Sequence, residues 1–207
     1  MRVNPGYPIT LDVKGFPCVV LGGDQEAADK AQRLLDAGAK VTVISPTLND
    51  ALKKLTASAK VIHRGRTFRA TDLLGVIVVL NCYRDDRELS ATLMDAARKE
   101  RFQLWSVDQP EFSTFAMPAV VSRGGLRVAI STGGASPALA SRIRQDLEQV
   151  FGPEAADFVE WLAALREEAQ SSEPDGVKRR ELLKRAVEQF VVKGQATYPE
   201  EWVKQRS

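Results

Sequence analysis

A polar loop ahead of a helix is the first stretch whose residue types could do chemistry. Between the apolar run "LRVAIS" and the next helical pattern lie Ser131, Thr132, Gly133, Gly134 and Ser136. The last of these serines is followed by proline, a pair typical of a helix N-cap and its first turn. Because the start of a helix offers backbone N–H groups to carboxylates and phosphates, the segment predicts an anion-binding loop or a loop that only turns the chain.

A second glycine turn lies near the start, in "VVLGGDQEAADKAQRLLDAGAKVTVIS". Gly22 and Ala27 fit the first and last positions of the dinucleotide fingerprint, but the middle position is Asp24. Its carboxylate puts a negative charge where a pyrophosphate would lie, and Gly23 compensates in part. Ser45 stands where an acid normally binds the ribose. These residues leave two interpretations open, a nucleotide site and a Rossmann-like fold without nucleotide.

Asp108 is the third candidate, directly after the apolar run "FQLWSV". Ligands of open parallel sheets bind beyond the carboxyl ends of the strands, so an acid at this position can meet one. The alternative is a turn-forming residue shortly before Pro110.

The elements that must position these residues alternate in the first half of the chain. Apolar runs of strand length fall at 16–21, 40–44, 60–63, 75–81 and 102–107, and helical patterns at 25–37, 47–58 and 85–101. This alternation predicts an α/β fold with a Rossmann-like parallel sheet. Beyond Pro110 two short runs joined by two glycines predict an antiparallel pair, followed by helices near 137–150, 154–170 and 177–193.

Composition excludes several classes of function. The 207 residues are 44% hydrophobic and 27% charged, and none of the apolar runs approaches the ~20 residues that span a bilayer. A net charge of +2 is too small to suggest nucleic acid. The N-terminal segment has no secretory pattern, and Cys18 and Cys82 lie in apolar runs, so we expect a cytoplasmic protein with buried free thiols. A single histidine, His63, argues against a histidine-built metal site, and we assign no metal ligands.

Two blocks, "GFPCVVLGGDQEAADKAQRLLDAGAKVTVIS" and "SVDQPEFSTFAMPAVVSRGGLRVAISTGGASPALASRIR", together resemble the precorrin-2 dehydrogenase family, which includes the N-terminal module of siroheme synthase. The resemblance implies NAD-dependent oxidation of precorrin-2 to sirohydrochlorin and, in some members, insertion of ferrous iron. It also implies a homodimer. We therefore expect a dinucleotide-binding domain at 1–113, a central dimerisation region at 114–150 and a C-terminal helical domain at 151–207.

The resemblance also assigns roles to residues. The family's essential aspartate maps onto Asp108, our candidate base, and the serine of its tetrapyrrole-side loop maps onto Ser131. The substrate site then comprises Ser131, Thr132, Gly133, Gly134 and Ser136. The NAD site comprises Gly22, Gly23, Asp24, Gln25, Glu26, Ser45, Pro46, Arg84 and Asp85.

Three departures from the family pattern lie on the nucleotide side of the expected site. They are Asp24 in place of glycine, the stretch Tyr83, Arg84 and Asp85, and Ser90 in place of asparagine. The tetrapyrrole-side block is intact. Two alternatives therefore stand beside the dehydrogenase: a sirohydrochlorin ferrochelatase with a degenerate NAD site, and a non-catalytic tetrapyrrole-binding protein.

Overall fold

Five parallel strands form one sheet in the computed structural model, which describes residues 6–204. The strands are β1 (Pro17–Leu21), β2 (Lys40–Ile44), β3 (Val61–Arg64), β4 (Val78–Asn81) and β5 (Gln103–Ser106). Their order across the sheet is β3-β2-β1-β4-β5, and each neighbouring pair is parallel. The chain reverses its direction of growth between β1 and β4, which is where open α/β sheets hold their ligands. The predicted α/β fold is confirmed.

Three helices connect the strands, and each begins at a polar N-cap. They are α1 (Gln25–Asp36), α2 (Asp50–Ala57) and α3 (Arg87–Glu100). The caps Asp24, Asn49 and Asp86 each accept a hydrogen bond from the backbone N–H three residues on. Helix α2 is shorter than predicted because its N-cap is Asn49, beyond Pro46.

The core lies on both faces of this sheet because successive side chains of a buried strand point to opposite sides. Cys18 and Val20 of β1 pack in a cluster with the apolar faces of α1 and α2. Val19 and Leu21 of the same strand pack in the other cluster, with Leu93 of α3. The carboxyl ends of all five strands are thereby fixed along one edge.

The chain divides into two compact units, Tyr7–Met117 and the described residues from Pro118 onward, and we describe each by itself. The second unit contains the antiparallel pair β6 (Ala119–Arg123) and β7 (Leu126–Ile130). It continues with α4 (Pro137–Val150), α5 (Glu154–Ser172), α6 (Gly176–Ala186) and α7 (Glu200–Lys204). The three-domain division at 113 and 150 stays a prediction.

One helix of the second unit ends earlier than its sequence pattern predicted. Helix α6 ends at Ala186 rather than near residue 193, with Val187 as its C-cap. The segment beyond it includes Val191 and Val192, and β-branched residues lose side-chain freedom in a helix. The short helix α7 lies beyond the last helix that the sequence pattern predicted.

Candidate functional site

The turn between β1 and α1 requires both of its glycines for packing within the protein. Gly22 has a φ of +130°, and a Cβ added there would lie 3.0 Å from the Cβ of Cys82. At Gly23 an added Cβ would lie 1.9 Å from the carbonyl oxygen of Thr47 and 2.7 Å from the hydroxyl oxygen of Ser45. The Gly23 carbonyl also accepts a hydrogen bond of 2.7 Å from the Asn49 N–H. The turn is therefore pressed against the loop that follows β2.

Asp24 caps α1 with its own carboxylate, which accepts the Ala27 N–H at 2.9 Å. Its backbone is extended, as an N-cap requires. The N–H groups of Asp24, Gln25 and Glu26 make no hydrogen bond within the described part of the chain. These three donors at a helix start fit one diphosphate of a dinucleotide, although two carboxylates flank them.

Ser45 lies at the end of β2 and is buried, unlike the exposed Pro46 that follows it. Its hydroxyl oxygen accepts a hydrogen bond of 3.5 Å from the Tyr83 hydroxyl, and its carbonyl oxygen lies 2.9 Å from Nε2 of His63. His63 therefore has a structural role at the end of β2. Tyr83, which sequence reasoning treated only as a departure from the family, connects the ends of β2 and β4.

Arg84 connects the first turn of α1 to the residue after β5. Its guanidinium forms an ion pair with the Asp108 carboxylate, and its NH2 lies 3.7 Å from Oε2 of Glu26. Asp108 is exposed and has a φ of +54°, a left-handed conformation that is uncommon for a residue other than glycine. This ion pair between two predicted site residues was not expected from the sequence, where 24 positions separate them.

Gln109 holds the loop that carries Arg84. Its buried side-chain amide donates to the carbonyl oxygens of Tyr83, at 3.2 Å, and Arg84, at 2.7 Å. Sequence reasoning missed this residue, and its place directly after Asp108 was the available signal. Ser90, noted as a departure, is fully buried, and its hydroxyl oxygen accepts a hydrogen bond of 2.9 Å from Asn81.

A buried carboxylate holds the end of β3. Asp72 accepts hydrogen bonds from the guanidinium of Arg66 at 2.7 and 2.8 Å and from the Arg69 N–H at 2.9 Å, and it also pairs with Arg64. The Arg66 hydrogen bonds are the main reason that the pKa of Asp72 lies well below its usual range. Arg64, whose carbonyl oxygen accepts the Ser45 N–H, and Arg66 are thus both paired with Asp72.

The loop expected to bind the tetrapyrrole lies in the second unit and is closed by its own hydrogen bonds. The Thr132 hydroxyl accepts the Ser136 N–H and donates to the Ser136 carbonyl, both at 3.1 Å. The Ser136 hydroxyl oxygen caps α4 by accepting the Leu139 N–H at 3.1 Å, as predicted. The exposed Ser131 accepts the Gly133 N–H at 3.2 Å and keeps its own hydroxyl proton for another acceptor.

Four of the predicted cofactor residues thus form two contacting pairs. Gly23 and Ser45 approach each other across the ends of β1 and β2, and Glu26 and Arg84 approach each other beside Asp108. The side chains of Gln25 and Asn49 form a hydrogen bond of 3.2 Å beside the first pair. Asp85 is exposed and makes no side-chain contact with the other predicted residues over residues 6–204.

Both thiols are free and buried, as predicted. Burial raises the pKa of Cys18 to about 11 and that of Cys82 to about 12. Between residues 6 and 204 there is no cluster of three or more histidine, cysteine or acidic side chains that could hold a metal ion. None of the helices in that range combines the length and apolarity needed to cross a bilayer.

Two family models match the chain. The model described as "Putative NAD(P)-binding" matches residues 9–119, and the one described as "Sirohaem biosynthesis protein central" matches residues 123–149. The first match covers most of the unit that contains the parallel sheet.

Curated siroheme synthases are similar over most of the chain. The protein of Methylococcus capsulatus is 34% identical over 181 residues, which is 87% of this chain and 38% of that protein. The protein of Nitrosomonas eutropha is 37% identical over 146 residues, which is 70% of this chain and 30% of that protein. The chain therefore spans well under half the length of these relatives.

A solved structure of SirC, a precorrin-2 dehydrogenase, matches along nearly its whole length. It superposes with a TM-score of 0.74 at 25% identity, covering 88% of this chain and 89% of that one. The fold, the two family models and the curated relatives agree with the resemblance carried by the two sequence blocks. The chain belongs to the family of precorrin-2 dehydrogenases and siroheme synthases.

Proposed function

We propose that the protein oxidises precorrin-2 to sirohydrochlorin with NAD+ as the electron acceptor. The observation that carries this proposal is the match to the precorrin-2 dehydrogenase SirC over 88% of the chain. The reaction removes a hydride and a proton from the tetrapyrrole, so it needs a nicotinamide site and a base.

The residues at the carboxyl edge of the sheet fit the cofactor. The N–H groups of Asp24, Gln25 and Glu26 would hold the diphosphate, with the close turn at Gly22 and Gly23 allowing the approach. Bound NAD+ would supply the hydride acceptor. NAD+ is favoured over NADP+ because Arg64 and Arg66, at and just beyond the end of β3, already donate to Asp72.

Asp108 is the proposed base. It lies two residues beyond the end of β5, and its carboxylate is exposed to solvent and therefore accessible to a substrate. This carboxylate would accept the proton that precorrin-2 loses in the oxidation and would pass it to water. Ser131 and the N–H groups at the start of α4 are proposed to bind the substrate's carboxylates.

The direct test is oxidation of purified precorrin-2 under anaerobic conditions, with NADH formation and the sirohydrochlorin absorption spectrum recorded together. Equal amounts of the two products with NAD+, and a slower reaction with NADP+, are expected. No NADH from the wild-type protein, together with iron insertion into added sirohydrochlorin, would overturn the proposal in favour of a ferrochelatase. Tight sirohydrochlorin binding without either reaction would indicate a carrier.

Two substitutions test the assigned residues. Asp108→Ala should lower kcat by about 100-fold or more because it removes the base, while the circular dichroism spectrum stays unchanged. Ser131→Ala should weaken sirohydrochlorin binding several-fold, measured by absorbance titration. Near-normal turnover in the first variant, or an unchanged Kd in the second, removes that residue from the mechanism.

A further inference from the structure

Arg84 belongs to a row of alternating charges that ends at Asp108. The row consists of Lys30, Glu26, Arg84 and Asp108. Nζ of Lys30 lies 3.0 Å from Oε1 of Glu26, and Oε2 of Glu26 lies 3.7 Å from NH2 of Arg84. The other end of the Arg84 guanidinium pairs with Asp108. Lys30 is itself buried, with its ammonium group 4.4 Å from the centre of the Trp105 ring.

The backbone at both ends of the Arg84 and Asp108 pair is also held. Gln109 donates to the carbonyl oxygens of Tyr83 and Arg84, so the residue next to Asp108 fastens the loop that carries its ion-pair partner. Asp108 itself adopts a left-handed backbone conformation. Non-glycine residues held in that region cluster at functional sites.

These observations distinguish two roles for Arg84. A ligand of the NAD diphosphate should keep its guanidinium free to face the anion that the N–H groups at the start of α1 would hold. Instead, one nitrogen is 3.7 Å from a carboxylate of that helix and another is paired with the acid beyond β5. A guanidinium held between two carboxylates fixes the orientation of the more exposed one, here Asp108, whose side chain is 70% exposed.

We infer that Arg84 is a positioning residue for Asp108, which it orients for proton acceptance, rather than a ligand of the cofactor. The inference rests on the proposed dehydrogenase function. The departure of this chain from its family at Tyr83 and Arg84 then supports the proposed base, Asp108, and is not a sign of a decayed site.

Steady-state kinetics separates the two roles. Arg84→Gln should lower kcat by about 10-fold or more and leave the KM for NAD+ within about threefold, because only the base is disturbed. Arg84→Lys should recover part of that loss because it restores the charge without the planar fork. A raised KM for NAD+ with an unchanged kcat would overturn the inference and make Arg84 a cofactor ligand.

Arg87 provides the matched control. It is exposed, lies three residues away and pairs at 2.8 Å with Glu111, another acid from the segment after β5. Arg87→Gln removes the same charge and should leave both kinetic constants unchanged. An equal loss of kcat in Arg87→Gln would show that the loss of one positive charge, rather than the loss of the ion pair with Asp108, lowers kcat.

A measurement that does not require enzyme turnover tests this inference independently of the proposed function. The ¹⁵N–¹H signal of the Arg84 Nε should move in Asp108→Asn and stay in place in Glu111→Gln. If the wild-type protein forms no NADH but this pattern is seen, the proposed function fails and the pairing stands. If the position of the Arg84 signal does not change in Asp108→Asn, the positioning role is excluded, whether or not the protein is active.

Discussion

At the scale of single residues, Asp72 shows how a carboxylate can be buried and still carry its charge. Its side chain is fully buried, and it remains ionised because Arg66, Arg64 and a backbone N–H all donate to it. Its lowered pKa has a direct consequence for stability. The stabilisation is present above the unfolded pKa, near 4, and is lost as the pH falls below it.

We predict that Asp72→Asn lowers the free energy of unfolding by about 2 kcal/mol at pH 7, because two charged donors lose their acceptor. The difference from the wild type should shrink as the pH falls below about 4. Urea titrations at several pH values measure both effects. The control is Asp50→Asn, an 89% exposed acid paired with Lys53, which should change stability by less than about 1 kcal/mol. A pH-independent difference would contradict the assignment.

At the scale of elements, the β1–α1 turn must both cap a helix and serve as a dinucleotide-binding turn. In the sequence these two requirements conflict. Asp24 violates the glycine fingerprint, and in the structure it serves as the N-cap of α1. Gly23 occupies the variable position between Gly22 and Asp24, and a Cβ added there would meet Thr47 and Ser45. The same short turn thus serves helix capping and loop packing, besides the proposed diphosphate site.

Asp24→Gly should increase the affinity for NAD+ by about 3- to 10-fold, because it removes a negative charge beside the proposed diphosphate site. The helix should lose only about 0.5 kcal/mol, since glycine is a tolerable N-cap. Calorimetric titration with NAD+ measures the first effect. Asp175→Gly, the same change at the exposed N-cap of α6, is the control and should leave the affinity unchanged. A weaker affinity in Asp24→Gly would mean that the carboxylate supports the site.

Gly23→Ala should destabilise the protein by about 1–3 kcal/mol and reduce NAD+ affinity, because the new methyl group overlaps the Thr47 carbonyl. Thermal unfolding and the same titration measure these effects. Gly194→Ala is the control because no atom lies within 4 Å of the position of its added Cβ. Wild-type stability in Gly23→Ala would show that the loop after β2 moves away without cost.

At the scale of the whole molecule, the second unit presents apolar side chains that a partner could bury. The rings of Phe158, Trp161 and Phe190 stack with centroids 5.5 to 5.8 Å apart, and Trp161 is 50% exposed. Val120 of β6 is also exposed, and a two-stranded sheet gains stability by packing against further structure. These features support the homodimer that the family resemblance implies.

We predict that sedimentation equilibrium gives about twice the chain mass of 22.8 kDa. Val120→Lys should shift the protein toward the monomer because it places a charge in the proposed interface. Val177→Lys, at an exposed position of α6, should leave the mass unchanged and serves as the control. A wild-type protein that is monomeric at 50 µM would refute the homodimer.

The sequence by itself determined the order of strands and helices, the cap at Ser136 and the burial of both cysteines. These features follow from patterns within a few residues, such as alternation of apolar side chains or a polar residue ahead of a helix. The same local patterns located Asp108 beyond the last strand of the sheet. Helix ends were less well defined, as α6 shows, because propensity changes gradually along a chain.

Only the tertiary structure decided which distant residues meet. The sheet order β3-β2-β1-β4-β5 brings the end of β4 beside the end of β5, and with them Arg84 beside Asp108. The same order brings Gly23 against Thr47. Closure of the loop after β3 places the Asp72 carboxylate beside Arg64 and Arg66. Such contacts depend on strand order, register and loop closure, which no local pattern encodes, because the residues concerned are separated in sequence and adjacent only in the folded sheet.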